Sequence, residues 1–451
     1  MRITIINGSP KGKNSITSFT PLFIAKHFPQ HTFNTIHAAQ RINYFEKNPQ
    51  KLKVLEDTDL IVWAYPVYTF LVPSQLHRII ELIKANGINL SGKWCTQVST
   101  SKHVYDQTAH RFIEDNAADM GMRIVGGLSA DMDDLLKKHG QDTAIKWWES
   151  VIFAIDNGIE LPKESRAQMP TQASLPISLP TVNNSTDKAP TYDTLILTDA
   201  KQAEGNMYEM IRYFRAIYPH KTRVINIAEY PFKSGCIGCL RCATTTMCVF
   251  KDNFDTYLRT EILNADCIIY AFTIQDHSTG YAFKRYQDRN FCNGHRTTTM
   301  GKPIGMIVSG KLSVEENLKT YLQAFAQVGH NYISHIASDE FDAKLSIEHL
   351  AKMTDYALTK QMTLPQNFLG VGGHKIFRDL IYQMRGMMRA DHKFYKEKGF
   401  YDDFPQKHWK ISLFMRFVGY MMQKPKWNAK IQEAIVMPYQ KLMEKTEQRK
   451  Q

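Results

Sequence analysis

Four cysteines fall within thirteen residues: Cys236, Cys239, Cys242 and Cys248, in the spacing C-x2-C-x2-C-x5-C. Four thiolates in one short loop suit a four-coordinate metal or an iron–sulfur cluster. Zinc ribbons usually place a longer span between one C-x2-C pair and the next, so this spacing favours zinc less. A thiol-rich loop without metal has the same composition and stays open as an alternative. A second chemical segment lies at the start of the chain: Asn7-Gly8-Ser9-Pro10-Lys11-Gly12-Lys13-Asn14-Ser15-Ile16-Thr17, directly after the apolar run 3–6. A phosphate is held by hydroxyl and amide donors at a helix N-terminus, where the helix dipole also favours negative charge. Ser9, Asn14, Ser15 and Thr17 supply short polar side chains, Lys11 adds charge, and Gly8 and Gly12 allow a tight turn. Neither a G-x-G-x-x-G fingerprint nor a P-loop is present. Taken alone, the segment also fits an ordinary strand–turn–helix with a Ser or Asn cap.

The elements that must position these residues follow from periodicity. Apolar runs at 3–6, 32–36, 60–64, 95–99 and 123–125 alternate with helical patterns at 74–85, 107–120 and 132–155. Strands buried on both faces read as continuous apolar runs, and parallel neighbours need helical crossovers. The first 158 residues therefore predict a doubly wound α/β domain. Residues 159–190 carry five prolines among Ser, Thr, Gln and Asn and read as a linker. The plan then repeats over 191–362, with strands at 194–197, 223–227, 267–272, 304–308 and 333–336, and helices at 206–216, 315–328 and 347–359. The expected architecture is two tandem doubly wound parallel sheets of order 2-1-3-4-5, followed over 363–451 by a helical extension. Its segment 411–422 reads either as a membrane-surface or partner helix, or as an appendage packed on the domains.

The first phosphate segment, Asn-Gly-Ser-Pro-Lys with a spacer and then Asn-Ser opening a helix, resembles that of the NADPH-dependent FMN reductases of the flavodoxin-like superfamily. Two further motifs match in order: Pro66-Val67-Tyr68-Thr69-Phe70 after the third strand and Val98-Ser99-Thr100-Ser101 after the fourth. The resemblance covers roughly residues 1–155. It implies FMN, with Ser9, Lys11, Asn14, Ser15 and Thr17 on its phosphate, Pro66, Val67, Tyr68, Thr69 and Phe70 along its ring, and Ser99 and Thr100 opposite. It also implies NAD(P)H as electron donor and a quinone, flavin or other small acceptor. The cysteine loop after the second half's second strand resembles the iron–sulfur flavoproteins, where such a loop carries a [4Fe–4S] cluster; this implies Cys236, Cys239, Cys242 and Cys248 as ligands. The second half's own phosphate segment, 198–207, brings Asp199 and Glu204 and loses most hydroxyls, and no Pro-Val-Tyr follows its third strand. That half is not expected to hold FMN. The two halves are expected to mimic a dimer, with electrons passing between a cluster in one and flavin in the other.

The remaining features set the context. Flavin chemistry asks little of acid–base side chains, so no catalytic residue is nominated. His77 and His103 lie near the flavin loops and read as polar surface histidines; Tyr105 and Asp106 carry no assignment. Cys95, Cys267 and Cys292 read as core thiols. The hydrophobic fraction of 43% excludes global disorder. Seven cysteines, four of them clustered, do not resemble a secreted disulfide framework, and the chain opens on a strand, so a reducing, cytoplasmic compartment is expected. The net charge of +12 is concentrated late, with 17 Lys and Arg against eight Asp and Glu from Gln361 onward. Such a surface suits solvent or an acidic redox protein. In that alternative the chain is a non-catalytic electron carrier. No helix-turn-helix is evident, so no nucleic-acid partner is expected, and an oligomer stays open.

Overall fold

The computed structural model describes residues 1–162, 175–182, 191–200 and 205–448. Strands β1 (Arg2–Asn7), β2 (Thr32–Ile36), β3 (Leu60–Pro66), β4 (Trp94–Ser101) and β5 (Arg123–Ile124) form a parallel sheet in the order β2-β1-β3-β4-β5, and β6 (Leu128–Asp131) extends the pairing along β4. β6 is an element the periodicity did not indicate. Strands β7 (Asp193–Thr198), β8 (Lys221–Asn226), β9 (Cys267–Thr273), β10 (Pro303–Ser309) and β11 (Tyr332–Ser338) form the second parallel sheet, β8-β7-β9-β10-β11. Each order is 2-1-3-4-5 within its half, the flavodoxin-like doubly wound topology. The central strands explain why: β10 is buried along its whole length and β3 up to Tyr65, the condition for a sheet covered on both faces.

The halves pack through equivalent helices. Helix Ser74–Ala85 lies on helix Gly280–Asn290, and helix Asp106–Asp119 lies on helix Glu316–Val328. The contacts are reciprocal, as in a two-fold interface. The first-turn amide of Ser74 donates to Asp288 (2.7 Å), and the amide of Tyr281 donates to Glu81 (2.9 Å). Each helix thus gives an open N-terminal N–H to a carboxylate on the other. One apolar cluster runs through both halves, from Ile6, Tyr65 and Ile79 to Ile268, Phe272 and Tyr286.

The described residues up to His392 form one compact unit and those from Lys393 onward another. Helix Phe368–Gln383 belongs to the larger unit and packs on helix Glu316–Val328. In the smaller unit, helices Trp409–Met422 and Pro425–Gln448 pack on each other. No helix among the described residues is long and apolar enough to cross a membrane. Within the stretch expected as a linker, the described residues include Ile177 and Leu179, whose amides donate to Asn206 and Glu209 at the start of the second half's first helix. Leu179 is buried in the second half's outer core.

Candidate functional site

The chain leaving β1 turns at Asn7, whose side chain donates to the Gly12 carbonyl (3.0 Å) and accepts from the Ser9 amide (2.9 Å). These two bonds fold residues 8–12 back toward the helix Ile16–His27. Gly12 sits at φ +56°, and a Cβ there would run into the Gln40 side chain. The helix opens at Ser15, whose hydroxyl makes no capping bond. First-turn amides of a helix have no partner within it. Ser9, Ser15 and Thr17 are nearly fully buried.

The second wall is built by the turn after β3. Tyr68 and Leu71 exchange backbone hydrogen bonds of 2.8 and 3.0 Å, with Thr69 and Phe70 at φ +43° and +67°. Left-handed backbone at two successive non-glycine residues is costly and persists only when the surroundings hold it. Here they do. Lys284 of the second half donates to the Tyr68 carbonyl (2.8 Å) and to the Thr69 hydroxyl (3.1 Å), while Thr69 donates to Asp288 (2.5 Å). Thr108 donates to the Phe70 carbonyl (2.5 Å). Lys284 and Asp288 are themselves a fully buried ion pair. Burial pushes the Lys284 pKa down, with Asp288 opposing.

These walls enclose a cavity of about 360 Å³, within the size range of small-molecule sites. Ser9, Lys11, Ser15, Thr17, Pro66, Val67, Tyr68, Thr69, Phe70 and Thr100 line it. The buried Thr100 hydroxyl has no hydrogen-bond partner, so it offers a donor and an acceptor to whatever occupies the space. Two expected residues do not line the cavity. Asn14 is exposed on the outside of the loop, and the Ser99 hydroxyl is engaged with His110 Nε2 (2.8 Å). The side chains of successive strand residues alternate between faces, so Ser99 and Thr100 cannot both face the cavity.

The second half closes the cavity. Cys236, Gly238 and Leu240 line it, as do Gln287, Asn290 and Phe291, and Phe377, Met384 and Met388 of the C-terminal segment complete the apolar side. None of these besides Cys236 was expected from the sequence. Helix Gly280–Asn290 is polar in composition and reads as surface, yet Lys284, Asp288 and Arg289 on it are buried. The single hint is the Lys284–Asp288 spacing of one helical turn.

Cys236, Cys239, Cys242 and Cys248 line one small cavity that shares Cys236, Gly238, Leu240, Asp288 and Phe291 with the larger one. The Gly238 amide donates to Cys236 Sγ (3.4 Å), and Arg289 donates to Cys248 Sγ (3.7 Å) while forming a two-pronged pair with Asp252 (2.7 Å each). Burial raises the thiol pKa of Cys236 strongly and that of Cys242 to about 11; a thiolate at either needs a cationic partner. Gly238 lines both cavities and lies against Tyr68: a Cβ on Gly238 would lie 2.0 Å from the Tyr68 hydroxyl oxygen.

Other expectations sort as follows. Cys95, Cys267 and Cys292 are buried. His103 is about half exposed and bonds Asp106 (2.8 Å). His77, expected at the surface, is completely buried at the junction of the halves. Tyr105 packs on Phe70, with ring centroids 4.7 Å apart. Four residues of the second half's phosphate segment, 201–204, lie outside the described residues.

This is a flavodoxin-like fold used twice, with a ligand-sized cavity at the strand exits of the first copy and a cysteine loop from the second copy against it. No protein-family model matches the chain. In sequence it is 27% identical over 176 residues to an iron–sulfur flavoprotein of Archaeoglobus fulgidus, a match covering 37% of this chain and 79% of that one. Among solved structures it is similar to an FMN-dependent NADH-azoreductase from Bacillus anthracis (TM-score 0.24, 14% identity, 35% of this chain and 99% of that one). An NAD(P)H:quinone oxidoreductase from Methanothermobacter marburgensis is similar at TM-score 0.27 and 11% identity, over 35% of this chain and 97% of that one.

Proposed function

We propose that the chain is an FMN-dependent oxidoreductase that takes hydride from NAD(P)H and delivers electrons to a quinone, a flavin or another small acceptor. In this reading residues 1–158 are the flavin-binding half and 191–362 the cysteine-bearing half. One observation carries it: a single cavity is lined by the phosphate loop, the turn at residues 66–70 and the cysteine loop together.

The residues present fit the group. Ser9, Ser15 and Thr17 at the helix start would hold a phosphate, with Lys11 adding charge at the rim. The turn from Pro66 to Phe70 would flank a planar ring, and the partnerless Thr100 hydroxyl would meet its polar edge. Bound FMN supplies hydride acceptance and onward electron transfer. Lys284 and Asp288 keep the turn in its left-handed form, so the second half sets the shape of the first half's site. Phe291, Phe377, Met384 and Met388 exclude water from the opposite side. Cys236, Cys239, Cys242 and Cys248 would hold an iron–sulfur cluster of the [4Fe–4S] kind, with Arg289 balancing thiolate charge and Tyr68 against Gly238, which lines both cavities.

The test is the absorption spectrum, iron and sulfide content of anaerobically purified full-length chain, followed by addition of NADH or NADPH. Flavin bands that bleach with either nucleotide support the enzyme. Bound flavin that reacts with neither makes the chain an electron carrier. Protein that refuses FMN at high micromolar concentration overturns both.

A further inference from the structure

The junction between the halves contains one side chain that the flavin reading does not use. His77 is fully buried, and neither ring nitrogen has a hydrogen-bond partner. Its Nε2 faces two carboxylates at distances too long for hydrogen bonds: Glu81 Oε1 at 3.9 Å and Asp276 Oδ2 at 3.8 Å. A buried polar group without a partner costs on the order of 1–3 kcal/mol, and its persistence calls for an explanation.

The pseudo-two-fold supplies one. At a constant interval along the chain, His77 corresponds to Lys284, Glu81 to Asp288 and Thr69 to Asp276. The same three-residue junction therefore occurs twice. In one copy the Lys284 ammonium fills the centre, bound to Asp288, the Thr69 hydroxyl and the Tyr68 carbonyl. In the other copy the lysine is an imidazole and the threonine is a second carboxylate; Arg78 and Lys84 pair with the outer oxygens of Glu81 and Asp276, and among the described residues no ammonium or guanidinium bonds the oxygens that face the imidazole. The fold places an ammonium at the centre of this junction once and an imidazole there the second time.

We propose that His77, Glu81 and Asp276 bind a divalent transition-metal ion of the zinc class that staples the two halves together. His77 and Glu81 lie one turn apart on the same helix face, and Asp276 arrives from the second half's turn. The ligand atoms all lie within 4.8 Å of one another. Zinc with bonds of about 2.0–2.1 Å would draw them to about 3.3 Å apart, which brings the imidazole about half an ångström closer to each carboxylate oxygen than the 3.9 and 3.8 Å seen here. The outer contacts already aim the inner oxygens. Glu81 Oε2 accepts from Arg78 (2.9 Å) and Asp276 Oδ1 accepts from Lys84 (3.0 Å), which leaves Oε1 and Oδ2 turned toward the imidazole. Glu81 Oε1 also takes the Tyr281 amide (2.9 Å), which leaves a lone pair for a metal. Imidazole with two carboxylates leaves a fourth position for water.

The experiment separates this site from the cysteine loop by spectroscopy. Full-length chain, with its iron and sulfide content measured, is treated with chelator and titrated with Co²⁺. Oxygen and nitrogen ligation gives visible d–d bands without the near-ultraviolet thiolate charge-transfer band. We expect one such Co²⁺ per chain in the wild type. In His77→Ala and in Asp276→Asn its affinity falls at least 100-fold, while any thiolate-ligated signal is unchanged. Zn²⁺ at tenfold excess should raise the wild-type Tm by several degrees and leave both variants unmoved. A wild-type chain with no Co²⁺ signal free of thiolate character, and no Zn²⁺-dependent shift in Tm, overturns the site even if a variant fails to fold.

Discussion

Tyr68–Leu71 and Gln275–Ser278 are the same turn, met once in each half. Both exchange two backbone hydrogen bonds of 2.8–3.0 Å between their outer residues, and both hold two non-glycine residues at positive φ, Thr69 and Phe70 in one and Asp276 and His277 in the other. Their surroundings differ. The first turn faces the ligand-sized cavity. The second faces the first half, where His277 sits between Asp119 and Glu315 (3.0 Å each) and Lys84 reaches Asp276. A duplicated strained turn has thus been kept twice, once to shape a cavity and once as an ionic fastening across the junction. Strain of this kind survives where neighbours over-determine it, and here each turn takes neighbours from both halves: Lys284 and Asp288 with Thr108 at the first, Lys84 and Asp119 with Glu315 at the second.

The comparison breaks most severely at Asp288. Its carboxylate accepts from the buried Ser74 amide, the half-buried Thr69 hydroxyl and the buried Lys284. Asp288→Asn should cost about 3–5 kcal/mol, because it leaves the Lys284 ammonium buried without a counter-charge. Urea unfolding measures this. The double variant Asp288→Asn/Lys284→Met should recover at least half of the loss. If the single variant is within about 1 kcal/mol of wild type, the pair does not hold the first turn.

The second turn can be tested by pH. Burial opposes charge on His277, but its hydrogen bonds to Asp119 and Glu315, which accept them, outweigh it and raise the pKa from 6.5 to about 10. A raised folded pKa contributes stability that is complete below the unfolded value and is lost as pH climbs through the folded one. His277→Gln should therefore be destabilised by about 2–4 kcal/mol at pH 6. The gap to wild type should narrow steadily between pH 6.5 and 10. A gap that is flat over this range would mean that packing, not charge, fastens the second turn.

Gly238 sharpens the link between the first turn and the cysteine loop. Gly238→Ala adds a left-handed penalty at φ +62° and drives a Cβ into the Tyr68 hydroxyl. Gly301→Ala is the control, since it has φ +80° with open space around it. The control should cost about 1 kcal/mol, and Gly238→Ala about 1–3 kcal/mol. By thermal unfolding, equal costs for the two would separate Tyr68 from the cysteine loop.

How much of this was legible before the structure follows from what each feature depends on. The strand order was readable because burial on both faces writes itself as apolar runs such as Ile3–Ile6 and Ile304–Val308. Ser9, Lys11, Ser15 and Thr17, and the residues from Pro66 to Phe70, were readable as cavity lining because they follow strand ends, whereas Asn14 in the same loop points outside it. The junction was not. Lys284, Asp288 and His77 carry polar side chains at helical spacing, and only the packing of one half on the other buries them. Ser99 was misplaced for a different reason: alternation along β4 puts one of Ser99 and Thr100 behind the sheet, and periodicity alone does not say which.

That pair gives the smallest and most discriminating comparison. Ser99 and Thr100 are neighbours on β4, both nearly fully buried, and differ in one respect: Ser99 bonds His110, whereas Thr100 has no partner. Ser99→Ala should cost about 1 kcal/mol of folding stability, since it leaves the His110 nitrogen unpaired, and should leave FMN affinity unchanged. Thr100→Val keeps the shape and removes an unsatisfied hydroxyl, so the ligand-free protein should be neutral or more stable by up to about 1 kcal/mol. If the hydroxyl meets the flavin, the same substitution weakens FMN binding by about 0.5–1.5 kcal/mol, roughly two- to tenfold in Kd. Fluorescence titration with FMN and thermal unfolding without it read the two effects separately. Opposite signs for stability and affinity at Thr100, with stability alone affected at Ser99, are the signature of a cavity wall beside a structural bond. A loss of stability at Thr100 without a change in Kd would place its hydroxyl in the fold and outside the site.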